Sequence, residues 1–91
     1  MIQTGNTIVV KNDNGTWGFY WLCDIHRDGY VFFDWFANPR KASLADYWVI
    51  TKDWFENKVK DGTIEVYESL PEEYMDVFEQ QAKERVQKQI P

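Results

Sequence analysis

Among its 91 residues the chain has one cysteine, Cys23, and one histidine, His26. A lone cysteine excludes an internal disulfide framework. The two together fall short of the four ligands of a structural zinc site, or the three plus water of a catalytic one. Glycine and proline are scarce, at five and three. The glycines stand singly at turn or edge positions, so no glycine-rich loop is available to cradle a phosphate. No apolar run approaches the ~18–20 residues that cross a bilayer, and no charged n-region leads into an apolar stretch at the N-terminus. The expectation is a protein with no membrane partner, in the reducing cytoplasmic compartment. Asn14-Gly15-Thr16, which matches a glycosylation sequon, then reads as turn chemistry. Basic residues are the minority, ten Lys and Arg against fifteen Asp and Glu, for a net charge of −5. That balance disfavours direct contact with nucleic-acid phosphates, which takes clustered Lys and Arg. A charged partner would be a basic one.

What the chain has in excess is rings: five Trp, five Tyr and six Phe. A small domain buries a smaller share of its surface than a large one, and each ring removes about 150–250 Å² from water. The densest stretch is GYVFFDWF, Gly29 to Phe36.

Turn residues divide the first third. Asn14-Gly15 and Asp28-Gly29 each separate apolar runs, and such dipeptides supply the positive φ of a tight hairpin. Three antiparallel strands are predicted, at Thr7–Asn12, Trp17–Ile25 and Tyr30–Phe36. ANPRKASLAD is a loop around the turn initiator Asn38-Pro39, with one helical turn at Ser43–Asp46. YWVIT, Tyr47–Thr51, is aromatic and β-branched and makes a fourth strand. Thr51 caps a short helix, Lys52–Lys60, that Asp61-Gly62 ends. Thr63–Glu68 alternates polar and apolar, a half-buried fifth strand. Ser69 and Glu72 read as a capping box for a long helix at Pro71–Gln89. Met75, Phe78, Ala82 and Val86 share its apolar face, and Lys83, Arg85 and Lys88 lie towards its C-terminal end. The fold expected is a single α+β domain, 1–91. Its β-rich part, 1–68, is a twisted antiparallel five-stranded sheet, curved enough to close as an SH3-like barrel. A C-terminal helix, 69–91, lies against it. An open meander covered by that helix is the alternative.

Side chains alternate along a strand. In the third strand Val31, Phe33 and Trp35 share one side; Tyr30, Phe32, Asp34 and Phe36 share the other. Burying Asp34 unpaired costs several kcal/mol, so the Val31 side is assigned to the core. The same logic puts Trp17, Phe19, Trp21, Cys23 and Ile25 inside. Tyr20, Leu22, Tyr30, Phe32 and Phe36 then form a second face. Either Met75 and Phe78 of the last helix cover it, or it is a bare recognition surface.

Asp61, Glu65, Glu68, Glu72, Glu73, Asp76 and Glu79 form an acidic segment with no Lys or Arg among them. No nucleophile or metal set accompanies these acids, so the expectation is no enzyme, no catalytic residue and no cofactor. His26, between Asp24 and Asp28, reads as a surface histidine and Cys23 as a small buried hydrophobe. The function expected is a non-catalytic binding protein or inhibitor that engages a protein partner. Tyr20, Tyr30, Phe32 and Phe36 are its aromatic anchors, and Asp34, Glu65, Glu68 and Glu72 its acidic surround. The alternative is an acidic nucleic-acid mimic that blocks a DNA- or RNA-binding protein. An exposed sheet edge also allows a homodimer.

Overall fold

Asn14 and Gly15 start the sheet. Gly15 adopts φ +84°, a conformation open to glycine at little cost. Asn14 Oδ1 accepts from the Thr16 N–H at 3.0 Å, closing the turn between β1 (Thr7–Lys11) and β2 (Trp17–Ile25). The second turn is built differently from its sequence expectation. Gly29 does not have positive φ. It opens β3 (Gly29–Asp34), and a Cβ there would lie 2.5 Å from the Ile50 carbonyl oxygen, so glycine is required by the close approach of the next strand. The computed structural model describes residues 2–89, with side chains as far as Glu84. The sequence-based assignments of Arg85, Val86 and Lys88 therefore lie outside the described side chains.

Short 3-10 turns at Pro39–Lys41 and Leu44–Asp46 lead into β4 (Tyr47–Thr51). The α1 helix (Lys52–Lys60) follows directly, with the Thr51 hydroxyl accepting from the Trp54 N–H at 3.3 Å as the capping pattern predicts. Gly62, at φ +84°, ends it. Next come β5 (Ile64–Tyr67), a 3-10 turn at Glu72–Tyr74 and α2 (Met75–Gln89). Ser69 and Glu72 do not form a capping box. The N-cap of that turn is Pro71, which has no side-chain oxygen to give. The reciprocal pattern occurs instead at Ser43, whose N–H donates to Asp46 Oδ2 at 2.8 Å.

The strands form one antiparallel sheet in the order β4-β3-β2-β1-β5. The protein is α+β, and the sheet is open: β4 and β5 are its two edges and do not meet, so there is no SH3-like barrel. A barrel has one interior, whereas both faces of this sheet carry a helix. Alternating directions across the sheet make β4 and β5 point the same way. A hairpin cannot join them; only a crossover can. At about 4.8 Å per strand the crossover spans ~19 Å, and α1 supplies ~13 Å of it at 1.5 Å per residue.

That crossover decides the core. α1 lays Phe55 on the face made by Ile8, Val10, Leu22, Tyr30, Phe32 and Ile64, all buried, with Tyr20, Trp48, Ile50 and Val66 packed around them. Phe55 is 5.0 Å from the Tyr30 ring and 5.5 Å from Phe32. Phe32 is fully buried. The side taken as outer from Asp34 is thus a sealed core, while the side taken as the core is covered in part, with Phe19 and Phe33 buried on it and Trp35 exposed. Asp34 ends its strand half-buried, and its Oδ1 accepts from the Phe36 N–H at 2.9 Å, so it can sit at the margin of an apolar face without being sealed in it. The helix that closes this face is α1, and α2 lies on the opposite one.

On that opposite face Phe78 meets Phe19 at 5.3 Å and stacks on Phe36 at 4.8 Å. Gln81 Nε2 donates to the Trp17 carbonyl at 3.1 Å. Thr7, Val9 and Phe19 are buried there. The pairing of β2 with β3 shifts between Leu22 and Asp24. Cys23 is the extra residue, half-buried, its thiol donating to the Val31 carbonyl at 3.2 Å. The bulge moves Ile25 off the side shared by Trp17, Phe19 and Trp21 and opposite Tyr30.

Replacing Phe55 with Ala removes the ring that seals the Phe32 face and should cost about 3–5 kcal/mol in urea unfolding. Phe32→Ala should do the same. Val49→Ala, at a side chain 69% exposed, should change stability by no more than ~0.5 kcal/mol.

Candidate functional site

The eight residues assigned to a binding surface from sequence do not come together. Tyr30 and Phe32 are in the sealed core. Tyr20 packs at its margin, 5.1 Å from the Trp48 ring. Phe36 follows the end of β3, and the Asp34 turn carries its ring to the other face, against Phe78. Glu68 and Glu72 are exposed on either side of the link between β5 and α2. Tyr30 and Glu68 do border one feature in common, a groove of about 580 Å³ between α1 and β5 floored by Phe55, Val59 and Val66.

Glu65 is committed to structure. Its carboxylate accepts from Tyr67 OH at 2.9 Å and from Tyr74 OH, and Lys11 Nζ lies 3.4 Å away. Tyr74 also contacts the Trp17 ring at 5.3 Å, so this cluster fastens the start of α2 to β1, β2 and β5. The hydrogen bond from Tyr74 holds the Glu65 carboxyl below its ordinary range, with Tyr67 and Lys11 adding to it against the opposing effect of burial. Giving that hydrogen bond to a carboxylate pushes the Tyr74 phenol up, and burial raises Tyr67. Elsewhere, His26 Nε2 and Asp24 Oδ2 form an exposed pair at 3.2 Å. Among the described residues no group of three or more His, Cys, Asp or Glu side chains is placed to hold a metal ion, and no helix is long and apolar enough to cross a membrane.

Trp54 and Val59 of α1 are exposed on the α1 side, and a longer apolar band lies open on the α2 face, beyond the described side chains of α2. Trp21 lies 5.7 Å from Phe33, and Phe33 lies 5.0 Å from Tyr47. Phe33 is buried by its two neighbours, but Tyr47 is 42% exposed, Val49 69% and Trp35 44%. This band runs from the β4 edge across β3 and β2. Trp35 continues it into a second groove, about 350 Å³, bordered by Leu70, Met75, Phe78 and Glu68. Trp21, Trp35, Tyr47 and Val49 were outside the surface expected from sequence. Their alternation with buried neighbours puts them on one side of the sheet, but not on the open part of it. The relevant signal is the length of α2, whose described side chains reach Trp17 and Phe19 of β2 and no ring of β4.

Comparison with protein-family models, curated proteins and solved structures finds no match to this chain.

The Glu65 cluster makes stability depend on pH at both ends. Glu65 has a lowered folded value, so its contribution is complete above the unfolded glutamate value of about 4.3 and is lost as pH falls through the folded one. Tyr67 and Tyr74 have raised folded values. Their contribution is complete below the unfolded tyrosine value of about 10 and is lost as pH rises through the folded ones. Tyr74→Phe should cost about 1.5 kcal/mol at neutral pH. The difference between wild type and variant, read from urea midpoints, should shrink towards pH 3 and above pH 10. A difference constant across that range would refute the assignment.

Proposed function

We propose that this chain is a non-catalytic binding protein or inhibitor that engages a protein partner through an aromatic and acidic surface. The observation that carries this reading is the band on the α2 face, where Trp21, Phe33 and Tyr47 lie in one run without a ring contact from the described residues of α2, and Trp35 stays 44% exposed beside Phe78. Large contiguous apolar surface is unfavourable to leave in water and commonly marks an interaction site. Trp and Tyr suit this role, since they combine large area with a polar atom and lose little conformational freedom on binding. Glu68 borders the groove that contains Trp35, and Glu72 follows it at the entry to α2. They supply the charged rim on which orientation and association rate depend. Tyr30 and Phe32 have no part in this surface, and Glu65 serves it only by holding α2 in place.

The same acids support a second reading, mimicry of nucleic-acid phosphates against a basic protein. The two make opposite demands on salt. Contact through rings is nearly indifferent to ionic strength, whereas charge mimicry weakens steeply as screening grows.

A partner captured by the wild-type chain should be lost, by ~2 kcal/mol or more, from Trp35→Ala and Tyr47→Ala variants that keep the wild-type circular dichroism. Reversing Glu68 and Glu72 to lysine should slow association by about tenfold with little change in the dissociation rate. Binding that survives both aromatic substitutions but disappears on raising the salt would reject the aromatic surface in favour of mimicry.

A further inference from the structure

The two edges of the sheet end differently. β5 carries Glu65, held by Lys11, Tyr67 and Tyr74, and a charged side chain on an edge strand discourages further pairing. β4 reads Tyr-Trp-Val-Ile-Thr, with no charge, proline or glycine. It pairs with β3 in unbroken register and has no other strand beside it among the described residues. The Lys52 N–H donates to the Asp28 carbonyl at 3.2 Å. Backbone groups alternate sides along an antiparallel strand, so Ile50 and Trp48 bond towards β3. Val49 turns its N–H and C=O to the open edge, and Thr51 its N–H, the Thr51 carbonyl being taken by the first turn of α1. The Tyr47 carbonyl joins them, its N–H being used locally on the Leu44 carbonyl.

We infer that β4 pairs antiparallel with β4 of a second copy of this chain, about a two-fold axis at Val49, so that two sheets become one continuous sheet. Two observations choose this register. Val49 is the centre of Tyr47–Thr51, so only this axis overlaps the whole strand with itself. It sets Val49 against its counterpart and Tyr47 against Thr51 of the other copy, every one of them with outward backbone groups. The residues just beyond the strand then fall opposite each other with opposite charge, twice: Asp46, which also accepts from the Ser43 N–H, and Lys52 of the other copy, whose Nζ lies 5.8 Å from its own Tyr30 ring. Opposite charges across a strand pair favour the register, and like charges oppose it. Val49, 69% exposed, is covered in the process. A two-fold axis normal to the sheet keeps faces matched, so the two aromatic bands lie side by side. This inference goes beyond the binding reading and does not rest on it, since it concerns the edge backbone and not the exposed rings. Strand pairing of this length is a small interface, so association is expected at micromolar concentration.

The test is sedimentation equilibrium of the full chain from about 1 to 200 μM, with circular dichroism on every variant. The wild type should rise from the chain mass of 10.9 kDa towards twice that value. Val49→Lys, which sets two ammonium groups at the axis, should remain monomeric with an unchanged spectrum and melting point. Lys52→Glu should weaken association by about tenfold, and adding Asp46→Lys should restore it. In the wild type, the amide protons of Val49 and Thr51 should exchange more slowly as concentration rises. A chain monomeric across the range would overturn the inference, as would a dimer that persists in Val49→Lys. Failure of the charge swap to restore association would overturn the register.

Discussion

β4 and β5 lie at opposite edges of the sheet and point the same way. The chain must therefore travel the width of the sheet between them, and it does so as α1. Every other assignment in the molecule follows from that constraint. The helix brings Phe55 down on Tyr30 and Phe32 and closes that face. The opposite face is left to α2, whose start is held over β1, β2 and β5 by Tyr74, Glu65 and Gln81. Because the described side chains of α2 reach only part of that face, Trp35 after β3 and Tyr47 of β4 remain in contact with water.

The rings of GYVFFDWF accordingly have two fates. Tyr30 and Phe32 are core, under α1. Phe33 and Trp35 face the other way, the first shielded by Trp21 and Tyr47, the second open beside Phe78. Phe36 is drawn under α2. An aromatic-rich strand whose rings are buried under α1 on one side and covered in part on the other needs no more interior than these two helices give it, and the surplus defines the open band.

Most of the element order is legible in the chain. Thr51 and Gly62 bound α1, Gly15 marks the first turn, flanking turn residues locate β2, aromatic and β-branched composition locates β4 and period-two alternation β5, because these signals depend on local backbone chemistry. The choice of face is not local. Alternation divides side chains into two sets without saying which one a helix will cover, and both sets of this sheet are apolar. Asp34 is a poor guide because a carboxylate at a strand end can satisfy itself on the next turn. The bulge at Cys23 changes the parity of Ile25, and no residue type in WLCDI announces it. Glu65 illustrates the same limit: as one acid in an acidic segment it resembles a surface charge, and only the approach of Tyr74 from a distant helix makes it a structural anchor. The direction of the β4–β5 connection, by contrast, was available in principle, since a meander of four strands followed by a helix forces the fifth strand to one edge or the other.

Phe32 is sealed by α1, while α2 lies on the reverse side. Nuclear Overhauser contacts of the Phe32 ring test it most directly, because Phe55 and Phe78 lie on opposite sides of the sheet. Cross-peaks between Phe32 and Phe55, together with cross-peaks between Phe78 and Phe19, are the expected result. Cross-peaks joining Phe32 to Phe78 would contradict it.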